Sequence, residues 1–159
     1  SDGVVQLNLA QTCIATFAKQ GGRLIALPDI TAIYDSPHLI NIGGPGTTLG
    51  PYRIALDYVN NGRDVGPVLA RVYLSTDRKV TPDDLLLGEK SISPIPGYTW
   101  RYETLADGVL QGTIGTYYLI LVLDPLNQVA ESDERNNVFI NRYTFPCGPA
   151  INLAWCFPK

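Results

Sequence analysis

Two runs of this chain alternate without a break. In YRIALDYV, residues 52–59, Tyr52, Ile54, Leu56 and Tyr58 fall on one side, and Arg53, Ala55 and Asp57 on the other. VLARVYLS, residues 68–75, repeats the pattern with Val68, Ala70, Val72 and Leu74 against Leu69, Arg71 and Tyr73. A repeat of two is the side-chain period of a β-strand, and helical periodicity is nearly absent from the chain. NNG at 60–62 stands between the two runs and supplies residues that tolerate the positive φ of a turn. TWRYETL reads as another strand, TYYLILVLD as a central one because it is apolar on both sides, and NVFINRYTF sets Val138 and Ile140 against Phe139 and Tyr143. Five or more short strands at this spacing predict an all-β protein built as two stacked sheets.

Other stretches break the alternation. TPDDLLLG at 81–88 predicts one short helical turn: Thr81 caps, Pro82 suits the first helical position, and Asp83 and Asp84 favour the positive end of the dipole. SPHLINIGGPGTTLGP at 36–51 reads as a long loop that either packs over the core or projects as a binding loop. Both ends carry β-like extensions. GVVQLNLAQTCIATF alternates through Val5, Leu7 and Leu9 before drifting, and CGPAINLAWCFPK follows the last strand.

A chain of 159 residues suffices for one domain with a proper core, and 45% hydrophobic against 17% charged residues makes it globular. The net charge of −3, with acids and bases interspersed, argues against nucleic acid as a partner. No apolar run approaches the ~20 residues that span a bilayer. The chain has no methionine, so Ser1 is expected to follow a processing step such as removal of a secretory signal. The expected location is therefore secreted, extracellular or at the cell surface.

Residues 27 to about 145 carry a more specific pattern. LPDITAI, DYVNNG, ARVYLSTD, PDDLLLG and GTYYLILVLDPLNQVAESDERNN occur in an order and spacing that resembles CARDB, the cell-adhesion-related domain found in bacteria. The resemblance implies an immunoglobulin-like antiparallel β-sandwich, here with one short helical turn and β-like terminal extensions. It also implies an extracellular module of adhesive or scaffolding role with no known chemistry. The expected organisation is an N-terminal extension over 1–26, the sandwich over 27–146 and a cysteine-bearing tail over 147–159.

DPLNQVAESDERNN, residues 124–137, follows the most apolar run directly and reads as a hairpin loop, with Asn127 and Asn136 at turn positions. Its acids Asp124, Glu131 and Asp133 also raise a metal reading. Gathered with Asp77, Asp83 and Asp84 at one end of the sandwich, they would offer oxygen ligands to calcium. Arg78, Lys79 and Arg135 compete for the same charges, and no EF-hand spacing is present. His38 is the only histidine, which excludes histidine-cluster metal sites and weakens any acid–base mechanism. No residue stands out as catalytic, and no organic cofactor is expected.

Tyr98, Trp100 and Tyr102 alternate along one predicted strand. Aromatics there are more often core, but an exposed row would make a glycan platform. Cys13, Cys147 and Cys156 lie near the two ends in no CxxC pair, so one disulfide leaves one thiol, and three pairings stay open. Residues 4–12 form an alternating free segment suited to adding itself to a sheet edge, its own or a neighbour's, through Val5, Leu7 and Leu9. Between neighbours, that contact is head-to-tail and builds a fibre. The functional expectation is a non-catalytic structural or adhesive module whose partner is itself, another surface protein or a glycan.

Overall fold

The structure, a computed structural model, describes residues 3–7, 13–20, 23–41, 51–109 and 115–145, with side chains over 26–40, 51–108 and 115–144. The first three strands, β1 (Gly3–Leu7), β2 (Cys13–Gln20) and β3 (Arg23–Ala26), form an antiparallel sheet in the order β1-β2-β3. Next come β4 (Ile30–Ala32), β5 (His38–Asn41), β6 (Pro51–Asn60), β7 (Val68–Ser75) and β8 (Leu85–Ile92). They are followed by β9 (Thr99–Val109), β10 (Gly115–Leu123) and β11 (Val138–Phe145). One layer of the sandwich is the sheet β11-β10-β7-β8. In the other, β6 pairs with β4 and β5 and, besides them, with β9. All pairings are antiparallel. None of the described residues is helical.

The alternation decides which side chains fill the space between the layers. Tyr52, Ile54, Leu56 and Tyr58 from β6 meet Val68, Ala70, Val72 and Leu74 from β7, and Leu119, Leu121 and Leu123 from β10, in one buried cluster. Each fully buried large apolar side chain contributes roughly 1.5–3 kcal/mol. β10 is central as its sequence predicts, paired with β7 on one side and β11 on the other. Tyr118 differs from Tyr52 and Tyr58. It is half-buried rather than core, and the Arg78 guanidinium stands 5.9 Å from its ring centroid.

Two expectations need correction. The stretch 81–88 holds no helical turn. The Asp84 N–H donates to the Thr81 carbonyl at 3.2 Å, while the Asp84 carboxylate accepts the Thr81 N–H at 2.6 Å, which closes a β-turn. The leucines after it enter β8. Proline and aspartate suit a turn as well as a helix start, and β7 lies beside the segment to take its backbone hydrogen bonds. The 36–51 stretch is likewise not all loop, since β5 lies within it and pairs with β6.

Close approaches fix the layers' edges. A Cβ on Gly62 would sit 2.1 Å from the Leu27 carbonyl oxygen, so only glycine completes the NNG turn against the chain's entry to the sandwich. A Cβ on Gly88 would lie 2.5 Å from that of Ala106, bringing edge strand β8 against β9 of the other layer. Lys90 adds an ion pair at 2.9 Å to Glu103 across the same corner. Burial works to raise the Glu103 carboxyl's pKa, but hydrogen bonds from Lys90, the Ser93 amide and Tyr58 outweigh it and hold it below the usual range.

Candidate ligand-binding face

The β6–β9 register sorts their side chains between two faces. Leu56 and Tyr58, which point into the core, stand opposite Glu103 and Arg101; Asp57 and Val59 stand opposite Tyr102 and Trp100. Directly opposed residues share a face, so Trp100 and Tyr102 lie on the outer surface of this sheet. Each is 50% exposed, whereas Tyr58 is wholly buried. Tyr98 is 79% exposed but precedes β9, in a turn, with φ of 57°. The strict strand row is therefore two aromatics, with the third in the turn that leads into it. Arg53 and Asp107 form a two-pronged ion pair at 2.9 and 3.0 Å farther along the same face.

The outer face continues onto β5, where His38 opposes Ala55 and Ile40 opposes Arg53. His38 Nε2 is 3.1 Å from Asp57 Oδ2. Asp57 is nearly buried and held on both sides. Its N–H donates to Ser36 Oγ at 2.7 Å, and its carbonyl accepts the Ile33 N–H at 3.0 Å. This acid–imidazole pair carried no sequence signal, because its members lie 19 residues apart on neighbouring strands. A second feature absent from the sequence reading is a pocket of about 280 Å³ between Tyr34–Ser36 and Phe139–Asn141. Its rim holds Tyr34 and Asp35 at φ of 55° and 56°, a region in which L-residues other than glycine are uncommon.

The acidic stretch is the connection between β10 and β11, and its carboxylates are engaged within the chain. Asp124 accepts the N–H groups of Gln128 and Val129 at 3.0 and 2.7 Å. Asp133 pairs with Arg135 at 2.9 Å, and Glu134 accepts the Glu131 N–H at 2.8 Å. Glu131, 6% exposed, accepts the Ile30 N–H and the Asn137 side-chain amide. In the other loop, Asp77 accepts the Lys79 N–H at 2.7 Å, and Asp84 closes the Thr81 turn. Among the described residues, no three histidine, cysteine, aspartate or glutamate side chains converge on one point, so the six acids considered for calcium are not gathered into a set.

The terminal features are described in part. The backbone of Val5 and Leu7 lies in β1 and that of Cys13 in β2, and β1 pairs with β2 of its own chain from Gly3↔Phe17 to Leu7↔Cys13. Leu9, Cys147 and Cys156 lie outside the described residues, as do the side chains of Val5, Leu7 and Cys13.

A family model for CARDB matches residues 59–141. The chain belongs to the CARDB family. The match begins inside β6, while the sandwich core starts earlier, at Ile30 of β4. Among solved structures, this CARDB chain is similar to the CARDB domain of the PF1109 protein from Pyrococcus furiosus, solved in complex with di-metal ions. The TM-score is 0.55 at 18% identity, covering 74% of this chain and 88% of that one. It is also similar to the 272–376 domain of a Methanosarcina acetivorans protein named for a cell-surface role, at a TM-score of 0.52 and 16% identity, covering 76% and 93%. No curated protein matches the sequence. At such identities the structural likeness speaks to fold, and it supports the two-sheet antiparallel sandwich. No helix among the described residues is long and apolar enough to cross a membrane.

Proposed function

We propose that this CARDB chain is a non-catalytic adhesive module of a cell surface that holds a glycan with the outer face of β5, β6 and β9. The observation that carries the reading is the half-exposure of Trp100 and Tyr102 on a face whose opposite side is already filled by the core. Large apolar side chains kept in water, with polar groups around them, mark a binding surface more often than a folding need. An aromatic face packs well against the apolar face of a sugar ring, while nearby polar groups take up the hydroxyls. The cell-surface name of the Methanosarcina neighbour agrees with this setting. The sole imidazole is committed to Asp57, and no hydroxyl or thiol among the described residues is hydrogen-bonded to it, which favours binding over chemistry. A glycan array tests the reading. The wild-type chain gives saturable signals that Trp100→Ala with Tyr102→Ala removes, and a blank array at high protein concentration contradicts it.

A second reading is self-association by terminal strand addition, through β1 and the apolar Val5, Leu7 and Leu9. It is favoured by one observation: β1 is an outer strand of its own three-stranded sheet and so presents a ladder edge to a neighbour. Removing residues 1–20 then abolishes higher-order species in size-exclusion chromatography. An unchanged elution profile sinks the idea.

A further inference from the structure

We infer that the His38–Asp57 pair is the polar end of the same outer face, and that the ligand is a neutral oligosaccharide of at least two linked sugars. The inference rests on the glycan reading and adds to it a hydrogen-bonding residue and a minimum ligand length. A carboxylate only accepts hydrogen bonds, so His38 Nε2 donates to Asp57 and Nδ1 is left as the polar ring atom that a ligand hydroxyl can meet. Nδ1 has no partner among the described residues, and the His38 side chain is 36% exposed, so a ligand hydroxyl can reach it.

Asp57 does not move to meet a ligand. Its backbone is tied to Ser36 and Ile33, and its carboxylate is nearly buried, so the imidazole is aimed before anything binds. The aromatic pair stands on β9 and the imidazole on β5, with β6 between them. Two interstrand spacings separate these strands by about 10 Å. The register adds about 7 Å along the strands for Tyr102, opposite Asp57, and about 13 Å for Trp100, opposite Val59, since His38 stands opposite Ala55. A single sugar stacked on Tyr102 therefore does not reach His38 and the next unit does, while a ligand that also covers Trp100 needs a third. The chain's net charge of −3 disfavours sialylated or uronate-rich ligands.

The chain's single histidine makes a direct test simple, because one imidazole gives one set of nitrogen resonances. The 15N-labelled protein is titrated with chitotriose and cellotriose, and separately with N-acetylglucosamine and glucose, following the His38 ring and the Trp100 indole. The expected result is that a trisaccharide moves both rings with a common midpoint, that the monosaccharides leave His38 unmoved, and that His38→Ala weakens trisaccharide binding by about tenfold. If Trp100 responds while the His38 Nδ1 resonance stays fixed and His38→Ala binds like wild type, the inference is wrong and the glycan reading stands. If neither ring responds to any of the four sugars, the glycan reading falls and takes the inference with it.

Discussion

Oε2 of Glu131 accepts the backbone N–H of Ile30 at 2.6 Å, tying a buried loop carboxylate to the first strand of the sandwich, 101 residues earlier. Around this bond the Ser132 N–H donates to the Pro28 carbonyl at 2.9 Å, and Asn136 Nδ2 donates to Asp29 at 2.8 Å. The acidic loop between β10 and β11 is therefore a clasp on the incoming chain. Its Glu131 carboxyl satisfies an amide, and its Ser132 N–H a carbonyl, that would otherwise be stranded at the edge of the core.

The clasp predicts an unusual pH dependence. Desolvation by burial raises the Glu131 carboxyl to about 7, aided by the nearby charges of Glu134 and Asp124 and opposed by hydrogen bonds from Ile30 and Asn137. Its folded value lies above the unfolded one of 4.5, so this group's stabilisation is complete below 4.5 and is lost as pH rises through 7. The effect is on the order of 1–3 kcal/mol. Asn137 Oδ1 is buried without a partner, and turning that amide would let it accept from a protonated Glu131. Glu131→Gln keeps the shape without the charge. At pH 8 its melting temperature exceeds that of wild type, and the two converge at pH 4.5. Equal melting curves at both pH values would contradict the clasp's energetics.

At the opposite edge, Gly88→Ala destabilises the fold by about 1–3 kcal/mol, because its new methyl collides with Ala106 where the two layers meet. Ala106→Gly in the same chain restores most of the loss. Urea denaturation of the two single variants and the double variant measures the coupling, and additive effects would show that the contact is not the cause.

Asn60, wholly buried, is a structural hub. Oδ1 accepts the N–H groups of Asp29 and Gly62 at 3.1 and 3.0 Å, and Nδ2 donates to the carbonyls of Arg63 and Ile95 at 2.6 and 3.2 Å. Asn60→Ala strands all four groups and costs about 2–4 kcal/mol in chemical denaturation. A loss under 0.5 kcal/mol would mean that water replaces the side chain.

The two core-forming strands could be read residue by residue because period-two patterning and burial state the same fact. Tyr52 through Tyr58 and Val68 through Leu74 fill the core as written. What sequence did not disclose depends on partners far along the chain. Glu131 looks like any loop acid until Ile30 is seen beside it, and His38 looks solitary until β5 sets it against Asp57. TPDDLLLG failed for a different reason, since local propensity cannot distinguish one helical turn from a β-turn leading into an edge strand. Of the three aromatics expected to alternate on one strand, more often as core, Trp100 and Tyr102 share the outer face of β9 while Tyr98 precedes it, and their exposure follows from the β6–β9 register, which no local pattern encodes.

Because Asp124, Glu131, Asp133 and Asp84 are each hydrogen-bonded within the chain, chelation with EDTA leaves the melting temperature unchanged. A fall of several degrees, reversed by calcium, would show instead that these loops regroup around a cation.

The most direct test of the central claim uses Trp100 as its own reporter. With Trp155→Phe, Trp100 is the only indole. Its fluorescence is followed while chitohexaose, cellohexaose or laminarihexaose is added. Binding through the outer face of β5, β6 and β9 predicts a saturable change with at least one of them, absent in Tyr102→Ala. An emission spectrum that none of the three alters at millimolar concentration, in a chain that still melts cooperatively, would contradict the account.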